Sequence, residues 1–263
     1  MKVGIIGAGN MGGAIALGLA MSGAVKRNDI TLCAPHDATL ERYRQWSPDM
    51  VLSTDNVVAV DGSDVIILAV KPWVLEGVMK EIAGRIDFRN QMLVSVVAGV
   101  TLETLASYAG DAADEAAVFR VIPNLAIAQG QSMTFVSSRG ADDRQVAALR
   151  EMFDKVGETM IVDESAMGAC TALSSCGIAY VMRYIRASCE GAVELGLYPD
   201  QAKTIMLRTM EGAVALLRTS NSHPEAEIDR VTTPGGLTIK GLNAMEANGF
   251  SRAVIEGLRA SIK

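Results

Sequence analysis

The sequence predicts an α/β fold in two parts: a doubly wound, mostly parallel sheet over residues 1–162, then an all-α domain over residues 163–263. Three observations predict it. Short apolar runs alternate with helical stretches through the first part, strand signals stop after Asp163, and a glycine-rich turn joins the first apolar run to the first helix.

The apolar runs are Val3 to Ile6, Ile30 to Cys33, Val65 to Val70, Met92 to Val97 and Ala117 to Ile122. Each is a continuous Val/Ile/Leu-rich stretch, the pattern of parallel strands covered on both faces. Helical patterns fall between them, for example Met11 to Ser22 and Val74 to Ala83. Met133 to Ser138, a helix from Asp142 to Val156, and Thr159 to Val162 add strands at an edge. Beyond the boundary, Met167 to Ala192 and Gln201 to Leu217 read as long helices, with shorter ones at Leu237 to Ala247 and Ser251 to Ser261.

The glycine turn, Gly7-Ala8-Gly9-Asn10-Met11-Gly12, has the spacing G-x-G-x-x-G. Among 25 glycines that spacing alone means little. Placed between a strand and a helix in a βαβ unit, it reads as the phosphate-binding turn of a Rossmann dinucleotide domain. Gly7 serves the tight turn, Gly9 the approach of a pyrophosphate, and Gly12 the close packing of helix on strand. The second strand runs into Cys33-Ala34-Pro35-His36 and lacks the carboxylate that holds a ribose 2′-hydroxyl in NAD-preferring domains. Ala34 and Pro35 are candidate cofactor contacts, and His36, Arg42 or Arg44 are placed to approach a 2′-phosphate. NADP (NADPH) is favoured and Asp37 keeps NAD (NADH) open. Ala69-Val70-Lys71-Pro72 and Val97-Ala98-Gly99 close two further strands, at the carboxyl ends where open α/β sheets bind ligands.

Composition narrows the function. A net charge of −6 disfavours a nucleic-acid partner, since a phosphate backbone binds through Lys and Arg. No uninterrupted apolar run approaches the ~18 to 20 residues of a membrane helix, and the N-terminus lacks the h-region of a signal peptide. Cysteines 33, 170, 176 and 189 form no C-x-x-C pair, so reduced thiols and a cytoplasmic location are expected. Two histidines, His36 and His223, are too few for a zinc site, and no metal is expected. In Gln201 to Leu217, Ala202, Met206, Met210, Ala213 and Leu217 form one apolar face, which Ile205, Ala215 and Leu216 widen. A helix apolar on most sides is buried on most sides, which predicts a homo-oligomer built from the C-terminal helices. An intramolecular bundle core is the alternative.

These residues resemble the pyrroline-5-carboxylate reductase family along the whole chain. The resemblance is carried by the glycine turn through Met11, Asn56 after the third strand, Ala69-Val70-Lys71-Pro72, the Ser95 to Gly99 segment and Pro123-Asn124. In the helical part it is carried by Thr171 to Ser174, Ala179-Tyr180, and His223-Pro224 ahead of Val231 to Thr238, which is similar to the family's S-P-G-G-T-T signature. The resemblance implies an NAD(P)H-dependent oxidoreductase that reduces a cyclic imine carboxylate, L-1-pyrroline-5-carboxylate, to L-proline. It implies a cofactor contact at Asn56 and a substrate site formed by Glu164, Ser174, Ser175, Cys176, Gly177, Gly236, Leu237 and Thr238, with Thr238 hydrogen-bonding the ring nitrogen. Such chemistry needs little acid or base, because an iminium carbon is already electrophilic.

The chain departs from the family where S-G-S-G-P becomes Ser174-Ser175-Cys176-Gly177-Ile178, and where Leu237 takes the place of a threonine. Ser175 is expected to hold a strained backbone in place of a glycine. Two alternatives therefore stand: a paralogue reducing another imine or carbonyl, and a non-catalytic NADP-binding redox sensor. A β-hydroxyacid dehydrogenase wants a lysine in the helix after the boundary, and none lies between Asp163 and Arg183.

Overall fold

A computed structural model describes residues 1–262 of the chain. Eight strands form one sheet: β1 (Val3–Ile6), β2 (Ile30–Cys33), β3 (Val51–Ser53), β4 (Val65–Leu68), β5 (Met92–Ser95), β6 (Val118–Ile122), β7 (Ser132–Arg139) and β8 (Gly157–Ile161). Their order is β3-β2-β1-β4-β5-β6-β7-β8. All neighbours run parallel except β6 and β7, so the sheet is a Rossmann sheet extended at one edge, as the sequence predicts.

Helices α1 (Asn10–Met21), α2 (Asp37–Trp46), α3 (Val57–Val60), α4 (Pro72–Ile82), α5 (Leu102–Ser107) and α6 (Asp143–Asp154) connect the strands. The central strands are largely apolar because both faces are covered. Ile5, Ile67, Val94 and Phe119 pack with Ile15, Leu19 and Leu40, whereas Ile6, Ile66, Leu68 and Leu93 pack with Leu75, Met79 and Ile82. Each fully buried aliphatic side chain stabilises the fold by roughly 1.5–3 kcal/mol. Helix α6 begins with a reciprocal cap between Asp142 and Gln145. The short strand β3 is not among the apolar runs because its three residues pair at the sheet edge and none is fully buried.

The remaining helices are α7 (Met167–Cys170), α8 (Gly177–Glu194), α9 (Pro199–Ser220), α10 (Pro224–Val231), α11 (Leu237–Ala247) and α12 (Phe250–Ala260). Compact packing divides the chain into Met1–Ser175 and Cys176 onward. The predicted boundary near residue 163 falls earlier. The segment after it still packs on the sheet, with Met167 and Ala172 fully buried and α7 against β7.

The expected single helix from Met167 to Ala192 is interrupted. Thr171–Cys176 form a π-helical turn between α7 and α8. Taken as one helical stretch, Glu164–Glu194 is nonetheless long and apolar enough to cross a membrane by length and composition alone. The expectation of no such run is corrected to that extent, and the stretch carries Arg183 and Arg186.

The second unit is thin. Among its described residues only Ala202 is fully buried, whereas Met182, Leu195, Tyr198, Ile205 and Ile255 are each at least half exposed. An apolar groove of about 680 Å³ runs between α8, α9, α11 and α12, lined by Tyr184, Met210, Met245, Phe250 and Val254.

Candidate active site

The first site lies at the carboxyl ends of β1, β4 and β5, where strand order reverses direction. The chain leaves β1 through Gly7, whose φ of 110° suits only glycine and whose N–H donates to Cys33 O at 2.9 Å. A Cβ on Gly12 would strike the Gly7 carbonyl and lie 2.9 Å from the Ala69 Cβ, so that glycine lets helix and strands close up. Gly9 is different. Its φ of −72° is ordinary, and a Cβ there would meet nothing within 4 Å. The protein's own packing does not require glycine at this position, so the space above Gly9 is what its missing side chain keeps open.

Gly9 caps α1 without any side-chain acceptor, and the first turn of α1 carries no acidic residue. Its leading N–H groups, from Asn10, Met11 and Gly12, therefore face outward unpaired by a side chain, at the positive end of the helix. An anion fits this cradle, and a pyrophosphate is the group it matches.

The neighbouring turns complete the crevice. Ala69 N donates to Ile6 O at 2.8 Å and Val96 N to Leu68 O at 3.0 Å, which sets Ala69-Val70-Lys71-Pro72 and Val97-Ala98-Gly99 beside the glycine turn. Lys71 and Pro72 are exposed where α4 starts, and Ala98 and Gly99 are exposed after buried Val97. Gly99 has φ +78°. Ser95 is fully buried, and its Oγ accepts from Val97 N at 3.2 Å. Asn56 precedes α3, and its amide donates to Glu81 at 2.9 Å.

At the end of β2, Ala34 is buried and Pro35 and His36 are exposed. Arg44 pairs with Asp37 at 2.9 Å and with Glu41, an exposed cluster beside the end of β2. Arg42 turns toward the glycine turn: its Nη2 donates to Ala8 O at 2.9 Å and to the Tyr43 hydroxyl at 2.7 Å. Tyr43 Oη also donates to Ala8 O, at 3.2 Å. The sequence reading missed this contact, because 34 residues separate Arg42 from Ala8.

Glu164 Oε1 accepts from Leu102 N at 2.8 Å and pairs with Arg120 at 3.3 Å. Arg120 stands opposite Ser95 across β5 and β6. Glu164 is thus fixed at the carboxyl end of the sheet, and no sequence spacing announced its partner.

The segment from Ser174 to Ile178, where the chain departs from the family pattern, is a π-helical turn running into α8. The expected strain at Ser175 is corrected as well: among the described residues, Asn221 is the one non-glycine with positive φ. The wider π turn accommodates the serine, and π turns often mark functional sites. Ser174 Oγ accepts from Asn124 Nδ2 at 3.0 Å, and Ser175 Oγ donates to Pro123 O at 2.7 Å.

In the second unit, Thr233 to Gly236 form a turn into α11. Gly235 has φ +72°, Gly236 N donates to Thr233 O at 2.9 Å, and a Cβ on Gly236 would lie 2.5 Å from Thr233 Oγ1. Gly236 caps α11, which leaves Thr238 exposed in the first helical turn beside exposed Leu237.

An open glycine turn at the switch point of a Rossmann sheet, followed by a helical unit, defines a dinucleotide-dependent oxidoreductase. Comparison with known proteins narrows that class. Residues 164–263 match the family model for pyrroline-5-carboxylate reductase dimerisation, and residues 2–99 match that for NADP oxidoreductase, coenzyme F420-dependent. The chain is 34% identical to the pyrroline-5-carboxylate reductase of Synechocystis sp., covering 100% of this chain and 96% of that protein. It is 35% identical to pyrroline-5-carboxylate reductase 1 of Dictyostelium discoideum over 98% of this chain, and spans 48% of that protein's length. The solved structure of Plasmodium falciparum pyrroline carboxylate reductase with NADP bound superposes with a TM-score of 0.89 at 25% identity, covering 99% of this chain and 95% of that one. The chain belongs to the pyrroline-5-carboxylate reductase family.

Proposed function

We propose that the protein reduces L-1-pyrroline-5-carboxylate to L-proline with NADPH. The observation that carries the reading is the 34% identity over the full chain to a reductase of that name, which spans both units. The open face at Gly9 and the uncapped start of α1 suit the dinucleotide's pyrophosphate. Ala34, Pro35, Asn56 and the two turns after β4 and β5 are the further cofactor contacts.

When bound, NADPH supplies the hydride. The protein's residues hold and orient. The hydride adds to the C=N carbon of the protonated imine, the π electrons become the nitrogen lone pair, and water supplies the proton that leaves proline as an ammonium. Because that carbon is already electrophilic, positioning contributes more than acid catalysis. Thr238 Oγ1 accepts a hydrogen bond from the ring N–H, and the first N–H groups of α11, from Leu237 and Thr238, receive the carboxylate. Ser174, Ser175, Cys176 and Gly177 shape the substrate pocket; the two serine hydroxyls do so by fixing the π turn. Glu164 lines the pocket with Oε1 already committed to Leu102 and Arg120.

The active form we infer is a homodimer or larger, built on α8, α9, α11 and α12. Its support is the exposed apolar surface of the second unit together with the match to a dimerisation model. Burial by a second copy accounts for apolar faces that a single layer of helices leaves in water. A net charge of −6 opposes a nucleic-acid partner, and four free cysteines fit a cytoplasmic location. Incubation with pyrroline-5-carboxylate and NADPH, followed by chromatographic detection of L-proline, tests the reading. No proline in the presence of bound NADPH rejects it in favour of the diverged paralogue, the reading that Ser175, Cys176 and Ile178 favour.

A further inference from the structure

We infer that Arg42, supported by Tyr43, is a positioning residue for the cofactor: it fixes the rotation of the Ala8–Gly9 peptide and so aims the Gly9 N–H at the dinucleotide's pyrophosphate. The inference rests on the reading of the glycine turn as the cofactor site.

Resonance keeps a peptide unit planar and trans, so the carbonyl of Ala8 and the N–H of Gly9 point in opposite directions. The Ala8 carbonyl is held on the α2 side by two donors, Arg42 Nη2 at 2.9 Å and Tyr43 Oη at 3.2 Å. The Gly9 N–H therefore points away from α2. With the donors removed, this peptide turns on the Ala8 ψ and the Gly9 φ, and Gly9 has the loosest backbone of any residue type. A turn made of glycines for access needs an external hold on its orientation.

The surroundings are built for that hold. Tyr43 is buried, and its hydroxyl occupies the place a Cβ on Gly13 would fill. Arg42 lies over the Tyr43 ring at 4.7 Å and donates to its hydroxyl at 2.7 Å, so each donor orients the other. Among the described residues no carboxylate pairs with Arg42, in contrast to its neighbour Arg44. Its charge is left uncompensated beside a turn read as an anion site, in a protein of net charge −6.

The test compares wild type with Arg42→Met, Arg42→Lys and Tyr43→Phe. Dissociation constants for NADPH and NADH come from nicotinamide fluorescence, and melting temperatures are taken without cofactor. We expect Arg42→Met to weaken both cofactors alike, by about tenfold, the order of one charge-assisted hydrogen bond. Lysine should restore part of the loss, Tyr43→Phe should weaken both cofactors by less, and KM for NADPH should rise while kcat holds. Arg42 is exposed, so the melting temperature of Arg42→Met should stay near wild type. A loss confined to NADPH would overturn the inference and make Arg42 a ligand of the 2′-phosphate. A fall in melting temperature with unchanged affinities would also overturn it, leaving a structural role. If wild type itself binds neither cofactor, the reading of the turn fails and the inference with it.

Discussion

Ser175 donates a hydrogen bond from Oγ to the carbonyl of Pro123 at 2.7 Å, which ties the π-helical turn to the end of β6. The family pattern has a glycine at this position, so the tether belongs to this chain. Changing Ser175→Gly, Cys176→Ser and Ile178→Pro together removes it. On the proposed reductase reading the turn is a working variant of the same site, and kcat/KM with pyrroline-5-carboxylate should then hold or fall in the triple variant. Loss of one partly buried bond costs about 1 kcal/mol, or a fall of roughly 2–4 °C in melting temperature. A tenfold gain in kcat/KM, about 1.4 kcal/mol of transition-state stabilisation, would show instead that the turn had drifted toward another substrate.

Gly9 and Gly12 should respond in opposite ways. Gly9→Leu projects into open space from an ordinary backbone conformation. It should abolish binding of both NADPH and NADH while the melting temperature stays near wild type. Gly12→Leu meets the Gly7 carbonyl and should unfold the domain. Retained binding in Gly9→Leu removes the cofactor assignment.

Cofactor choice follows from the end of β2, which runs into Ala34-Pro35-His36 with no carboxylate, while the next residue, Asp37, pairs with Arg44. NADPH should bind at least as tightly as NADH. Fluorescence titrations in which NADH is clearly the tighter ligand reject this.

Assembly should depend on the exposed apolar face of the second unit. Sedimentation should show a dimer or larger at micromolar concentration. Val254→Glu, at the apolar groove, should dissociate it and lower solubility. A wild-type monomer at that concentration contradicts the assembly.

Cys33 should be chemically silent. Burial pushes its thiol up to about 12, so the thiolate is scarce at neutral and mildly alkaline pH. Under native conditions a disulfide reagent should leave Cys33 unmodified, with Cys33→Ala giving the same count of reactive thiols as wild type. A count lower by one in that variant would contradict the burial.

Much of this was legible in the sequence. Strands such as Val3–Ile6 and Ile30–Cys33 stand out because parallel strands covered on both faces are apolar at most positions. The glycine turn is legible because backbone geometry restricts Gly7 and steric closeness restricts Gly12. The tertiary contacts were not. Arg42 on Ala8, Glu164 on Leu102 and Ser175 on Pro123 join residues 34, 62 and 52 positions apart, and local pattern carries no record of such pairs. The π turn escaped because Thr171 to Cys176 continues a helical pattern on both sides, and only the extra backbone width distinguishes it.

The most direct test of the reductase reading is the loss of reduced-nicotinamide absorbance when purified protein, NADPH and pyrroline-5-carboxylate are mixed. We expect oxidation that requires all three, saturates with substrate, and yields L-proline in equal amount to the NADPH consumed, with Thr238→Ala lowering the rate. Binding of NADPH with no oxidation on adding pyrroline-5-carboxylate would contradict it.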